Sequence, residues 1–360
     1  MKMYSNLLPC ITWKWLKMNG TETEMSPAAH GEVVLPEGWS VSEDRAAHGS
    51  DIDPRSNKQI QAALFADKIV TGMGPDMDRA AKEYGIPVIR MTAGEAPLVI
   101  ENRYKDGDSV MTCVEITVPD GVHASVTEKF YSEDGAKAEA AFQTKFIVGK
   151  GASVEFVQIE KLGKGVTLFN DNGSFVEKDG RLDSIYVLLE GGKTYYGSRA
   201  NLKGNESAFS LDMAYIVKGD EELDANVASF HRGKKTDALI TVNGTLKDRA
   251  KKLLRATIDF KSGAAGSTGK ETEDVLMMNE GVINRNVPLI LCTEEDVEGI
   301  HGATLGSPSE EIVTYMMSRG LDKATIYDII EKARLDACAG KISDEKTREE
   351  VRRYIHPDEE

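Results

Sequence analysis

Cysteine is scarce in this 360-residue chain: Cys10, Cys113, Cys292 and Cys338 are its only four. They stand too far apart for a C-x-x-C metal knuckle and are too few for the disulfide framework of a secreted domain, so a reducing cytosol fits best. Aromatics are thin as well, at 7% with three tryptophans. No stretch reaches the ~18 consecutive apolar residues of a membrane span. Basic residues are in deficit, 44 against 59 acidic, which gives a net charge of −15. That balance argues against a protein that coats nucleic-acid phosphates and points to proteins or small ions as partners. There is no H-E-x-x-H, no G-x-S-x-G and no G-x-G-x-x-G between a strand and a helix, so the common metalloprotease, hydrolase and dinucleotide-binding readings lack their anchors. Lys2 ahead of Leu7, Leu8, Ile11, Trp13 and Trp15 resembles the start of a secretory signal, but Pro9 and Lys14 interrupt it and no small-x-small cleavage site follows. The expectation is a soluble, cytoplasmic protein.

What is present is enough apolar material, 41%, for a substantial core. Residues 1–95 read as an amino-terminal arm with short helices. Its first fifty or so residues, with Trp13-Lys14-Trp15, Ser26-Pro27 and Ala46-Ala47-His48-Gly49, suggest an irregular or partly mobile segment. Ile60, Ala63, Leu64 and Ile69 predict a helix starting near Asn57, and Asp76 to Tyr84 predicts another that exits through Gly85. Over 96–300 the apolar residues alternate, as in Phe209, Leu211, Met213, Tyr215 and Val217, which is strand spacing. Further strands are expected at Val154–Ile159, Ile185–Leu189, Ala238–Val242, Thr257–Phe260, Val275–Met278 and Val287–Cys292, with turns at glycines that include Gly204, Gly244 and Gly263. Many short strands without crossover helices fit a sandwich, a barrel or a parallel β-helix; uneven repeats and charged turns favour the solenoid and leave the sandwich open. Residues 301–360 read as helical. Ser307-Pro308-Ser309-Glu310 looks like a cap, a first-turn proline and a capping-box glutamate, Gly320 ends that helix, and two more start near Asp322 and Ser343.

Several motifs bear on chemistry. Gly263-Ala264-Ala265-Gly266-Ser267-Thr268-Gly269-Lys270-Glu271 resembles a phosphate-binding loop, yet its first glycine is misplaced and Glu271 stands where a Ser or Thr must meet magnesium. A glycine-rich turn with Lys270 in solvent is the better reading. His231 and His301 fall at the edges of strand-like segments, where an imidazole is either a metal ligand or a hydrogen-bonded structural group. Cys113 and Cys292 lie in apolar strands and read as packing thiols. Ile312, Val313, Met316 and Met317, with Ile326, Ile329 and Ile330, form either the core of a helical cap or an adaptable docking face.

The text Asp296-Val297-Glu298-Gly299-Ile300-His301-Gly302-Ala303-Thr304-Leu305-Gly306, followed by Ser309-Glu310-Glu311 and Tyr315-Met316-Met317-Ser318-Arg319-Gly320-Leu321, resembles the carboxy-terminal signature of the SufB/SufD family, and the resemblance extends upstream to cover about residues 100–340. It implies a mainly β fold, a right-handed parallel β-helix with flanking helical amino- and carboxy-terminal regions. It further implies a non-catalytic subunit of the SUF iron–sulfur cluster assembly scaffold. In that family the carboxy-terminal helices dock a SufC-type ABC ATPase and two β-helix subunits pair along strand edges, so the partners expected are that ATPase and a SufB-type scaffold or a second copy of this chain. The docking surface would comprise Ser307, Glu310, Glu311, Met316, Met317, Arg319, Ile326, Ile329 and Ile330. His301 would be a ligand to a transient iron–sulfur cluster shared at the subunit interface, since one histidine cannot hold a cluster alone. The His-Gly-Ala-Thr text is closer to SufD. The thiol of SufB-type scaffolds is replaced by Glu273, and the cysteine that SufD-type members carry just before the histidine is replaced by Gly299. The competing readings are a β-helix enzyme acting on polysaccharide, for which so few aromatics offer thin groove chemistry, and a purely structural interaction protein.

Overall fold

A computed structural model describes residues 1–10, 14–41 and 69–357. The helix expected from Asn57 lies outside the described residues apart from Ile69, as do Trp13 and the Ala46–Gly49 stretch. Four short strands come first: β1 (Lys2–Ser5), β2 (Thr21–Glu24), β3 (Ala29–His30) and β4 (Ser40–Val41). After α1 (Asp76–Glu83) the chain enters a run of strands without interruption by helices: β5 (Val88–Thr92), β6 (Leu98–Tyr104), β7 (Ser109–Val118), β8 (His123–Ser132), β9 (Lys137–Val148), β10 (Ser153–Lys161), β11 (Gly165–Val176), β12 (Arg181–Glu190), β13 (Lys193–Leu202), β14 (Ala208–Val217), β15 (Glu222–His231), β16 (Asp237–Leu246), β17 (Lys251–Phe260), β18 (Ser267–Met277), β19 (Ile283–Cys292) and β20 (Val297–Gly306).

These strands build a parallel β-solenoid of about eight turns. Even-numbered strands β6 to β20 form an eight-stranded sheet and odd-numbered strands β5 to β19 form the body of a ten-stranded one, so each turn gives one strand to each sheet. Register partners are one turn apart: Phe209 lies beside Leu182 on one side and Ala238 on the other. The sandwich left open by the sequence is thereby excluded, because a sandwich pairs its strands antiparallel through hairpins. Alternation explains the core. Phe209, Leu211, Met213, Tyr215 and Val217 all point inward and are buried. Aromatic rings from the two sheets meet inside, with Tyr186 stacked on Tyr196 at 4.4 Å and Phe146 edge-on to Phe156 at 4.9 Å. Each fully buried ring of this kind contributes roughly 1.5–3 kcal/mol.

Glycine acts at two kinds of place. At the corners, a Cβ on Gly204 would lie 1.9 Å from the Lys178 nitrogen and one on Gly233 would lie 2.2 Å from the Gly204 carbonyl oxygen, so only glycine lets successive turns stack there. Gly244, expected in a turn, instead sits within β16, where a Cβ would fall 2.0 Å from Cζ of Tyr215; its absence makes room for that ring.

Parts of the amino-terminal arm, expected to be irregular or partly mobile, pack on the solenoid, while Trp15 and Val34 stay exposed. Leu7 and Val70 cover Phe230 and Ala228, while Met3, Met25, Met73 and Met77 cover Met111, Cys113 and Phe169 on the outer face of the ten-stranded sheet. Buried charge ties α1 down through Lys145 Nζ and Asp78, 2.6 Å apart. Gly85 ends α1 at φ +65° as expected.

Three helices follow the last strand: α2 (Glu310–Ser318), α3 (Lys323–Ala339) and α4 (Glu345–Ile355). The strand text continues through His301 to Gly306, so the helical region starts later than the sequence pattern suggests. Ser309, not Ser307, occupies the N-cap position of α2, without a capping hydrogen bond from its side chain, and Pro308 precedes it. Asp322 and Asp344 cap α3 and α4 by accepting from the backbone nitrogens of Thr325 and Thr347 at 2.8 and 2.7 Å. Leu335, Cys338, Ala339, Ile342, Val351 and Ile355 bury themselves on Val157, Ile159, Val187 and Ile216, the outer face of the eight-stranded sheet.

Candidate functional site at the open end of the solenoid

The last turn has no successor. Among the described residues β19 and β20 are each bonded on one side only, at the ends of their sheets, and a row of backbone donors and acceptors faces outward on each. Inside this turn β20 sets His301 directly beside Glu271 of β18 in parallel register, so both side chains leave the same face. The imidazole Nδ1 hydrogen-bonds Glu271 Oε2. His301, expected at a strand edge, therefore lies midway along β20. Its side chain is 29% exposed, whereas that of Glu271 is 3% exposed. Burial pushes the Glu271 carboxyl up, and the contact with His301 works against that shift. Glu271 Oε1 has no hydrogen-bond partner among the described residues.

One step along β18, Glu273 also points inward. It is ion-paired with Lys252 Nζ from β17, with both side chains wholly buried, and Asn286 of β19 donates its amide to the second oxygen. Burial draws the Lys252 ammonium down from its ordinary value. Glu273 is thus a buried carboxylate locked to a lysine. Gly299 has a packing reason: a Cβ there would press on Ile290 and Phe260, each at 3.2 Å.

The other candidates separate clearly. His231 is fully buried, its Nδ1 bonded to the Thr236 hydroxyl at 2.8 Å, and burial holds it down at about 4, so it is neutral structure. Cys113 is a buried packing thiol, pushed up to about 12. Cys292 is not: it ends β19 at the open turn, exposed, its Sγ 2.8 Å from the Glu294 carbonyl oxygen. The reason is position, since among the described residues no further turn covers it. Gly263 and Gly266 make a turn with positive φ, and Lys270 projects from β18 into solvent. Among the described residues no group of three or more His, Cys, Asp or Glu side chains is placed to hold a metal ion.

Helix α2 adjoins the open turn, and among the described residues it contains no buried one. Ser307, Glu310, Glu311, Met317, Arg319 and Ile329 are exposed, and Met316 and Ile330 are half-buried. Ile326 is a correction. It is fully buried, held in the packing of α3, and cannot present itself to a partner. Ile312, read from the sequence as part of a cap core or docking face, is 53% exposed, while sequence reasoning left out Tyr315 at 58%, together with Ile300 and Leu305 on β20. The signal for Tyr315 was available: Ile312 and Tyr315 are three apart, on one helical face.

The architecture is a parallel β-solenoid with a polar end turn and trailing helices, and the sequence comparisons give it a family. Residues 101–334 match the model of the SufBD core domain of the SUF system for iron–sulfur cluster assembly, and the chain belongs to that family. It is similar to the iron–sulfur cluster assembly protein SufD of Bacillus subtilis, at 27% identity over 206 residues covering 56% of this chain and 47% of that protein. A SufBD family protein of Staphylococcus saprophyticus is 25% identical over 193 residues, 52% of this chain and 40% of its own length. The chain thus spans about half the length of the curated relatives it matches. Among the described residues no helix is long and apolar enough to cross a membrane.

Proposed function

We propose that this chain is a non-catalytic, SufD-like subunit of a SUF assembly scaffold that works by being held and moved by partners. Helix α2 is the handle for a SufC-type ABC ATPase, presenting Glu310, Glu311, Tyr315 and Met317. The edges of β19 and β20 pair with a SufB-type scaffold or a second copy of this chain. His301 then supplies one ligand to a labile iron–sulfur cluster at the junction, the remaining ligands coming from across it, in keeping with the preference of such clusters for several soft donors. The cluster is cargo, not a resident group.

The observation that carries this reading is the contrast at the carboxy-terminal end. A helix with no buried residue, beside two unpaired strand edges bearing exposed Ile300 and Leu305, is a surface that proteins ordinarily cover. Co-expression with the ATPase tests it. Charge reversal at Glu310 and Glu311 should abolish co-purification, and retained binding would refute the docking role. For the ligand role, His301→Ala should impair cluster maturation in vivo; unimpaired maturation would remove His301 from the account.

A further inference from the structure

The contact between His301 and Glu271 has a consequence for which ring nitrogen is free. Glu271 is fixed by burial and by parallel register, not by a flexible loop: it is the direct neighbour of His301 across the β18–β20 ladder. The buried cation of this layer, Lys252, is committed to Glu273, which leaves Glu271 facing the imidazole. An acceptor on Nδ1 selects the tautomer protonated at Nδ1 and leaves the lone pair on Nε2. With Nδ1 turned to the buried carboxylate, the exposed part of the side chain belongs to the far side of the ring, where Nε2 lies.

We infer that Glu271 is the positioning residue for His301: its carboxylate holds the Nδ1–H and aims an unprotonated Nε2 out of the open turn toward whatever occupies the junction. This rests on the reading of His301 as a ligand for the cluster, although the hydrogen bond and tautomer stand independently of the cargo. The inference also explains why a carboxylate without a lysine is tolerated at this depth. His301 is the donor to one of its two oxygens.

Selective labelling of histidine with ¹⁵N in the full chain tests the inference without any cluster, the His301 signals being identified by their loss in His301→Ala. The expected spectrum shows Nδ1 protonated and Nε2 unprotonated. Glu271→Gln, whose amide oxygen can still accept from Nδ1, should keep that pattern, and Glu271→Ala should lose it in favour of averaged nitrogen shifts. A proton on Nε2 in the parent chain, or shifts unchanged in Glu271→Ala, would overturn the inference. In the co-expressed complex supplied anaerobically with ferrous iron and sulfide, cluster retention should fall roughly tenfold or more in Glu271→Ala and recover in Glu271→Gln. The two readings fail separately: undiminished retention in His301→Ala would refute the ligand role, whereas unchanged shifts in Glu271→Ala would refute the positioning role alone.

Discussion

Helices α3 and α4 sit on the solenoid wall through apolar side chains and through bonds from end to end: Tyr131 donates to Glu350 at 2.8 Å, Arg334 pairs with Asp274 at 2.9 Å, and the Ser343 nitrogen donates to Glu155 at 2.9 Å. Helix α2, only a few residues upstream of α3, has none of this burial. A narrower contrast separates two buried carboxylates of the middle turns from Glu271 at the open turn. Inside the middle turns Glu128 is satisfied by Thr144 at 2.6 Å and Gln158 at 2.7 Å, and Glu160 by Tyr186. At the open turn, Glu271 keeps an unpartnered oxygen and His301 is partly exposed. An unpartnered atom is not by itself the mark of the open turn, since among the described residues Arg199, Asn201 and Tyr215 also keep buried polar atoms without a hydrogen-bond partner; the division that holds is between the anchored helices and the exposed α2.

Substitutions should respond to this division. In the largest expected effect, Glu273→Ala strands the buried Lys252 charge and should cost about 3–5 kcal/mol in urea unfolding, while replacing both partners with methionine should cost far less. If the double and single variants were equally destabilised, the ion pair would not be the cause. Next comes the anchored layer. Leu335→Ala should lose about 2–5 kcal/mol because it opens a cavity between α3 and the sheet, and a shift below 1 kcal/mol would contradict the packing described.

A smaller, pH-dependent effect belongs to the middle turns. Burial raises both Glu128 and Glu160 from 4.5 to about 7. The folded state therefore binds these protons more tightly than the unfolded chain, and their contribution is fully present below pH 4.5 and lost as the pH rises through about 7. His231, pushed down to about 4, slopes the other way over the range below its ordinary 6.5, so the carboxyl share is read by difference. Glu128→Gln should flatten the fall of stability with pH by up to ~1.4 kcal/mol per unit. Identical slopes in variant and parent would show that Glu128 is not buried in its charged form's disfavour. Smallest of all, Ile312→Ala on α2 should change stability by less than about 0.5 kcal/mol while weakening ATPase co-purification. A large loss of stability would mean that α2 is packed after all.

Much of this was legible in the sequence because a turn of the solenoid buries one side of each strand, and the alternation from Phe209 to Val217 records it. Asp322 announced α3 with similar clarity. The last strand was harder to read. β20 is an edge with little to bury, so Val297 to Gly306 shows no alternation, and His301 consequently looked like a strand end. Gly244 misled for the opposite reason, since it is a packing glycine under Tyr215 that local sequence cannot distinguish from a turn. Ile326 shares its helical periodicity with exposed neighbours, and only its burial in the folded chain tells them apart. The Glu271–His301 pair is separated by 30 residues, one turn of the solenoid, and becomes visible only once the register is known.

Amide hydrogen exchange on the full chain, alone and in complex with a SufC-type ATPase and a SufB-type scaffold, bears most directly on the division of labour. Residues of α2 should gain protection with the ATPase and those of β19 and β20 with the scaffold, while α3 and α4 are protected throughout. Protection confined to other surfaces, with α2 and the open turn exchanging as freely in the complex as alone, would contradict the account.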